Sequence, residues 1–209
     1  MSILVAQPWW VNLSAGIPFA VYFLWRRDGN GLTARALLYG GIFALAFGFV
    51  EASVVVYLRA ATGLLGATAE AAYQQAQLLH GIPATLMKIE VAREAATMVM
   101  LASVALLASE NARARWAMFL WTFAIWDIVY YAGLWALVRW PGSLRETDVL
   151  FLIPVPWLAP VWFPVAVSAL MITAVVAGSW RSAGSEKPTG KRDSSLRSER
   201  QTTGNANDG

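Results

Sequence analysis

The sequence predicts an all-α fold, a polytopic membrane bundle of five transmembrane helices, from three observations. Of its 209 residues, 57% are hydrophobic and only 14% charged, against roughly 25% charged in a soluble domain. The apolar residues gather in five runs of about the 20 residues needed to cross hydrocarbon. Polar residues are confined to a few short connections and one tail, as long lipid-facing stretches require.

The runs are Trp9 to Trp25, Ala36 to Leu58, Ala84 to Leu107, Trp116 to Val138 and Leu158 to Gly178. Pro8, Asn12 and Pro18 interrupt the first, which is predicted to tilt or to extend toward Ile3. No Lys or Arg precedes it, whereas a secretory signal opens on basic residues; it is expected to stay as an anchor. In the second, Gly40, Ala44, Gly48 and Ala52 recur every fourth residue, a small-residue seam that lets another helix approach closely. The third and fourth carry charged residues at helical spacing. The fifth follows "LRETDVLFLIPVPWLAPVWFP", where Pro154 and Pro156 break any helix. That proline-rich segment is predicted to be an interfacial or re-entrant lid, because irregular backbone at membrane depth is tolerated only against protein or water; a plain surface loop is the alternative. Pro160 and Pro164 are then expected to begin the last span.

Orientation follows from Lys and Arg outside the runs. One side takes eleven: Arg26, Arg27, Arg35, Arg113, Arg115, Arg181, Lys187, Lys191, Arg192, Arg197 and Arg200. The other takes Arg59, Arg139 and Arg145. The N-terminus is therefore predicted outside and the C-terminus in the cytoplasm, with Trp25, Trp116 and Trp180 at the inner boundary and Trp9, Trp10, Trp140 and Trp157 at the outer one. Residues 1–180 form the membrane domain, and 181–209, with almost no large apolar residues, are expected to be a disordered cytoplasmic tail.

Charges inside the runs carry the functional signal. Glu90, Arg93, Glu94 and Thr97 are three and four apart and share one helix face, while Lys88 points elsewhere and snorkels to the headgroups. Asp127, Tyr130, Tyr131 and Leu134 form a matching stripe on the fourth run. Glu51 sits beside the small-residue seam of the second. In the predicted orientation these groups fall at overlapping depths in the outer half. A charge at a helix centre costs about 2.5–3.5 kcal/mol, so four acids and one arginine facing lipid would cost roughly 10 kcal/mol or more. Arg93 neutralises one carboxylate, leaving an excess of three; protons, a cation or a cationic ligand must supply the balance.

The candidate site is thus Glu51, Glu90, Arg93, Glu94 and Asp127 as catalytic or proton-carrying groups, with Tyr130 and Tyr131 lining the entrance. If a divalent metal ion is the cofactor, Glu51, Glu90, Glu94 and Asp127 are its ligands, with His80 above Glu90 as a fifth. His80 ends "TAEAAYQQAQLLHGIP", where Tyr73, Gln74 and Gln77 are spaced for a short capping helix.

"GFVEASVVVYLR", "IEVAREAA", "WDIVYYAGLWALVRWPGSL" and "DVLFLIPVPW" together resemble a group of small bacterial multi-pass membrane proteins, over residues 36 to 165. The resemblance implies a bacterial inner membrane and brings no activity, cofactor or mechanism with it.

Several classes are excluded. The absence of cysteine removes disulfides, thiolate metal sites and cysteine nucleophiles. One histidine rules out bis-histidine haem within the chain and the paired Glu-x-x-His sets of di-iron bundles. No phosphate loop, HExxH helix, nucleophile elbow or dinucleotide fingerprint is present, and no folded basic domain exists to bind nucleic acid. Three readings stand: a carboxylate-rich site binding a cation and acting on or carrying a lipid-soluble substrate; a non-catalytic subunit or assembly factor whose polar helices dock a protein partner; and a small homo-oligomeric transporter. All three contact the lipid bilayer.

Overall fold

A computed structural model describes residues 5–61 and 84–185 of the chain. A 3₁₀ helix over Trp9–Gly16 runs directly into α1 (Ile17–Trp25). There follow α2 (Ala34–Ala61), α3 (Ala84–Ala108), α4 (Ala112–Val138), a hairpin of β1 (Thr147–Phe151) and β2 (Trp157–Pro160), and α5 (Trp162–Ser185). Among the described residues, α2, α3, α4 and α5 are long and apolar enough to cross a membrane. The chain is a mostly helical, multi-pass membrane protein.

α4 is the central helix. It packs against α2, α3 and α5, and buries Ala117, Ala124, Trp126, Tyr131 and Leu134 among others. The small-residue seam of α2 is what admits it. Gly40, Ala44, Gly48 and Ala52 are all buried, and a Cβ at Gly48 would stand 2.8 Å from the Trp126 carbonyl and 2.9 Å from Val129 Cβ. α4 answers with Gly133, where a Cβ would lie 2.8 Å from that of Ala52. Lipid offers no hydrophobic drive between helices, so such close packing is what holds them together.

Two connections fix the ends of the bundle. At one end the Gly29–Gly31 turn docks on α5: Asn30, fully buried, donates through Nδ2 to the Val175 carbonyl at 2.7 Å and accepts from the Leu32 N–H at 3.0 Å. Gly29 is left-handed at φ +72° and lies against Gly178 and Ser182, so only glycine fits there. At the other end Gln7 bridges Leu158 through N–H···O bonds of 2.8 and 2.7 Å. The first segment is thus pinned to α5 at one end and to β2 at the other, and α1 packs against α5. This first segment differs from a single α-helix: its front half is 3₁₀, with Pro18 placed in the first turn of α1, where its missing N–H costs nothing.

The proline-rich segment is likewise not helical. β1 and β2 pair antiparallel, Thr147 opposite Pro160 and Val149 opposite Leu158, with an irregularity between Val149 and Phe151. The expected all-α fold thus needs correction by one hairpin, and the expected last span, from Leu158, by four residues. Leu158, Ala159 and Pro160 belong to β2, and α5 begins at Trp162 with Pro164 in its first turn. Pro154 and Pro156 supply no N–H, so they occupy the connection between strands and leave the donors on either side to pair. α5 continues to Ser185, beyond the boundary expected at residue 180. The rest of the expected tail, and the expected capping helix with His80, lie outside the described residues.

Candidate functional site

The hairpin does not lie flat on the bundle. It closes one side of a cavity of about 820 Å³ whose other walls come from the first segment, α2, α3, α4 and α5. Most of the lining is apolar: Val55, Leu86, Met98, Phe119, Phe123, Trp126, Leu150, Phe151, Trp157 and Met171 are among the residues present. Set into this wall is a row of polar groups.

Arg93 is the centre of the row. Helical spacing puts Glu90 three residues before it on α3, and the guanidinium grips that carboxylate with two bonds, Nε to Oε2 at 3.0 Å and Nη2 to Oε1. Its remaining nitrogen, Nη1, pairs with Glu51 Oε2 across the gap to α2. Glu51 Oε1 accepts the Thr97 hydroxyl at 3.0 Å. The stripe predicted on α3 therefore meets α2 through one arginine whose three guanidinium nitrogens are all engaged, and Glu51 reaches it because the seam turns that face of α2 inward. Lys88 is exposed, as its position off the stripe requires.

The other two acids are held separately. Both oxygens of Glu94 accept the Leu152 N–H, at 2.8 and 3.1 Å. That bond ties α3 to the hairpin and satisfies a donor left free where β1 ends. Asp127 on α4 accepts the Ser168 hydroxyl of α5 at 2.8 Å. Glu51, Glu94 and Asp127 are 4%, 7% and 9% exposed, so none is a surface charge. Glu51, Glu90 and Arg93 are thus joined directly, whereas Glu94 and Asp127 line the same cavity on partners of their own. Among the described residues no three His, Asp or Glu side chains are grouped to hold one metal ion.

Tyr130 lines the cavity, and its hydroxyl has no hydrogen-bond partner among the described residues. It lies within electrostatic reach of Arg59, Arg93, Glu90 and Asp148. Tyr131 is turned away and buried, donating its hydroxyl to Asp148 Oδ2 at 3.0 Å. Asp148, on β1, is a lining residue that the sequence reading passed over. Burial pushes its carboxyl from 3.8 up to about 6, against the pull of the Tyr131 hydroxyl and of Arg59. In the sequence it shows only as a carboxylate heading the apolar run "DVLFLIP", and the hairpin that buries it is not written there. Ser168, a lone hydroxyl in "VAVSALM", and Arg59, stacked over the Trp140 ring at 4.2 Å, were the other omissions. With Asp148 and Arg59 included, the described lining holds five acids (Glu51, Glu90, Glu94, Asp127, Asp148) and two arginines (Arg59, Arg93), an excess of three carboxylates when all are ionised.

The described lining is thus a large apolar volume with a row of charged groups in which carboxylates outnumber arginines. No family model, no curated protein and no solved structure matches this chain.

Proposed function

We propose that this protein binds a lipid-soluble molecule in the hairpin-covered cavity and exchanges protons with it through the carboxylate row. The observation that carries this reading is the cavity itself: about 820 Å³, mostly apolar, with Glu51, Glu90, Arg93, Glu94 and Asp127 all on its wall. Ligand sites occupy roughly 300–1,000 Å³ and combine an apolar lining with a few placed polar groups. Glu51, Glu90 and Arg93 meet the head of the molecule, and Asp127 with Ser168 forms a second polar station. Tyr130 lines the approach, and Tyr131 fixes the position of Asp148. Protons supply the compensating charge in this reading, since Glu51 and Glu90 are taken up by Arg93 while Glu94 and Asp127 are held by the Leu152 amide and Ser168.

In this reading the chain crosses the bilayer five times, with the N-terminus outside, the C-terminus cytoplasmic and the cavity in the outer half of a bacterial inner membrane. The first crossing is short in residues, but 3₁₀ geometry rises about 2.0 Å per residue and α geometry about 1.5 Å. The eight residues of Trp9–Gly16 and nine of Ile17–Trp25 then cover roughly 30 Å, the thickness of the hydrocarbon core. Reporter fusions at Gly29 and after Ser185 should both report the cytoplasm.

The test is the content of the purified protein. Organic extraction and mass spectrometry should return about one lipid-soluble molecule per chain, reduced in folded Glu51→Gln and Asp127→Asn variants, with elemental analysis showing no stoichiometric metal. A metal lost in Glu51→Gln would replace protons by a cation. Absence of any bound molecule, together with loss of a co-purifying protein in the same variants, would overturn the reading in favour of partner docking.

A further inference from the structure

Resting on the reading above, we infer that the occupant of the cavity is an uncharged lipid with a flat, unsaturated body and a carbonyl oxygen at its head, the chemistry of an isoprenoid quinone, and not an anionic acyl lipid.

Charge is the first discriminator. Among the described residues the lining has three more carboxylates than arginines, and Arg93 already engages all three guanidinium nitrogens with Glu51 and Glu90. A carboxylate or phosphate head at Arg93 would have to share that guanidinium with the two carboxylates already on it and would sit among the others. It would add one more negative charge for the row's protons to offset, which is costly in a weakly screened interior. A neutral head meets no such penalty.

The wall is the second. Phe119, Phe123, Trp126 and Tyr130 follow one another along α4 at spacings of four, three and four, and so present a continuous stripe of rings to the cavity. Phe123 and Trp126 are 5.5 Å apart, and Trp126 stacks on Tyr130 at 6.3 Å. From the hairpin, Phe151 lies nearly parallel to Phe123, at 6.3 Å and 16°. Such π faces reward flat, polarisable partners through offset and edge contacts, whereas a saturated chain gains only its area.

The third is the Tyr130 hydroxyl, which ends this stripe beside the charged row and has no acceptor among the described residues. A carbonyl oxygen placed there accepts that proton and satisfies the donor.

The experiment uses the full chain in phosphatidylcholine nanodiscs, with a naphthoquinone bearing a two-isoprene tail and palmitate as labelled probes in equilibrium binding. The naphthoquinone should saturate near one per chain, and palmitate should bind at least tenfold more weakly. Tyr130→Phe should weaken the naphthoquinone about tenfold, and Phe123→Leu several-fold, with melting profiles that show both variants folded. Equal or tighter binding of palmitate overturns the ligand class while leaving the cavity as a lipid site. Saturable naphthoquinone binding that both variants leave unchanged overturns the role given to the wall and to Tyr130. Failure of both probes to saturate on folded protein overturns the inference and the proposed function together.

Discussion

Removing Arg93 tests the geometry of the charged row most directly. Arg93→Met keeps the length and apolar stem of the side chain and deletes the guanidinium. Glu90 loses its bidentate partner, and Glu51 is left with Thr97 alone. The side chains of Glu51, Glu90 and Arg93 are 5%, 19% and 22% exposed. Breaking one side of a buried pair costs about 3–5 kcal/mol, and the lower end applies because Glu90 keeps some access to the cavity. An expected loss of about 3 kcal/mol follows. Glu51→Gln placed on the Arg93→Met background removes the stranded charge while preserving the acceptor for Thr97, and should recover about 2 kcal/mol. The measurement is a double-mutant cycle on SDS-induced unfolding in mixed micelles. Neutral interhelical hydrogen bonds in membranes couple by about 0.6 kcal/mol and at most about 1.7, so a coupling near 2 marks a charged pair. A cycle that is additive within about 0.5 kcal/mol, or an Arg93→Met protein as stable as wild type, would show that α2 and α3 are not joined in this way.

Three further outcomes are expected. Gly48→Ala should lower the SDS unfolding midpoint by the equivalent of about 1–3 kcal/mol, because the new methyl meets the Trp126 carbonyl and Val129, neither of which can yield; a neutral result would mean that α2 and α4 are not in contact there. Asn30→Leu should cost about 2 kcal/mol through the loss of both buried bonds of its amide, whereas substitution of the exposed Asp28 in the same loop should cost little on the same unfolding assay. Asp148→Asn, which keeps an acceptor for Tyr131, should stabilise the protein above pH 6 by up to about 3 kcal/mol and have little effect below pH 4. The native carboxyl titrates near 6 against 3.8, so the folded state binds the extra proton between those values, and stability falls as pH rises through that window. Equal pH profiles for the two proteins in thermal melts would contradict the burial of Asp148.

The polar stripes were legible because a helix's geometry is local. Spacings of three and four placed Glu90, Arg93, Glu94 and Thr97 on one face, and the structure finds Arg93 bound to Glu90 and facing Glu51. The α2 seam was legible for the same reason, as small residues every fourth position make a groove whatever fills it. Asp148 was passed over because its burial depends on a hairpin that local signals did not specify: the prolines stated where a helix must stop, but not that the segments around them would pair.

The sequence by itself therefore determined the solvent, the long helices and which faces carry charge, since these follow from hydropathy and from a repeat of 3.6 residues. Tertiary structure decided that one arginine joins α2 to α3, that a hairpin amide claims Glu94 and that Ser168 claims Asp127. Those pairings link residues 41 to 58 positions apart. Their energies exist only once helices from distant parts of the chain are brought within bonding distance, so no local pattern records them.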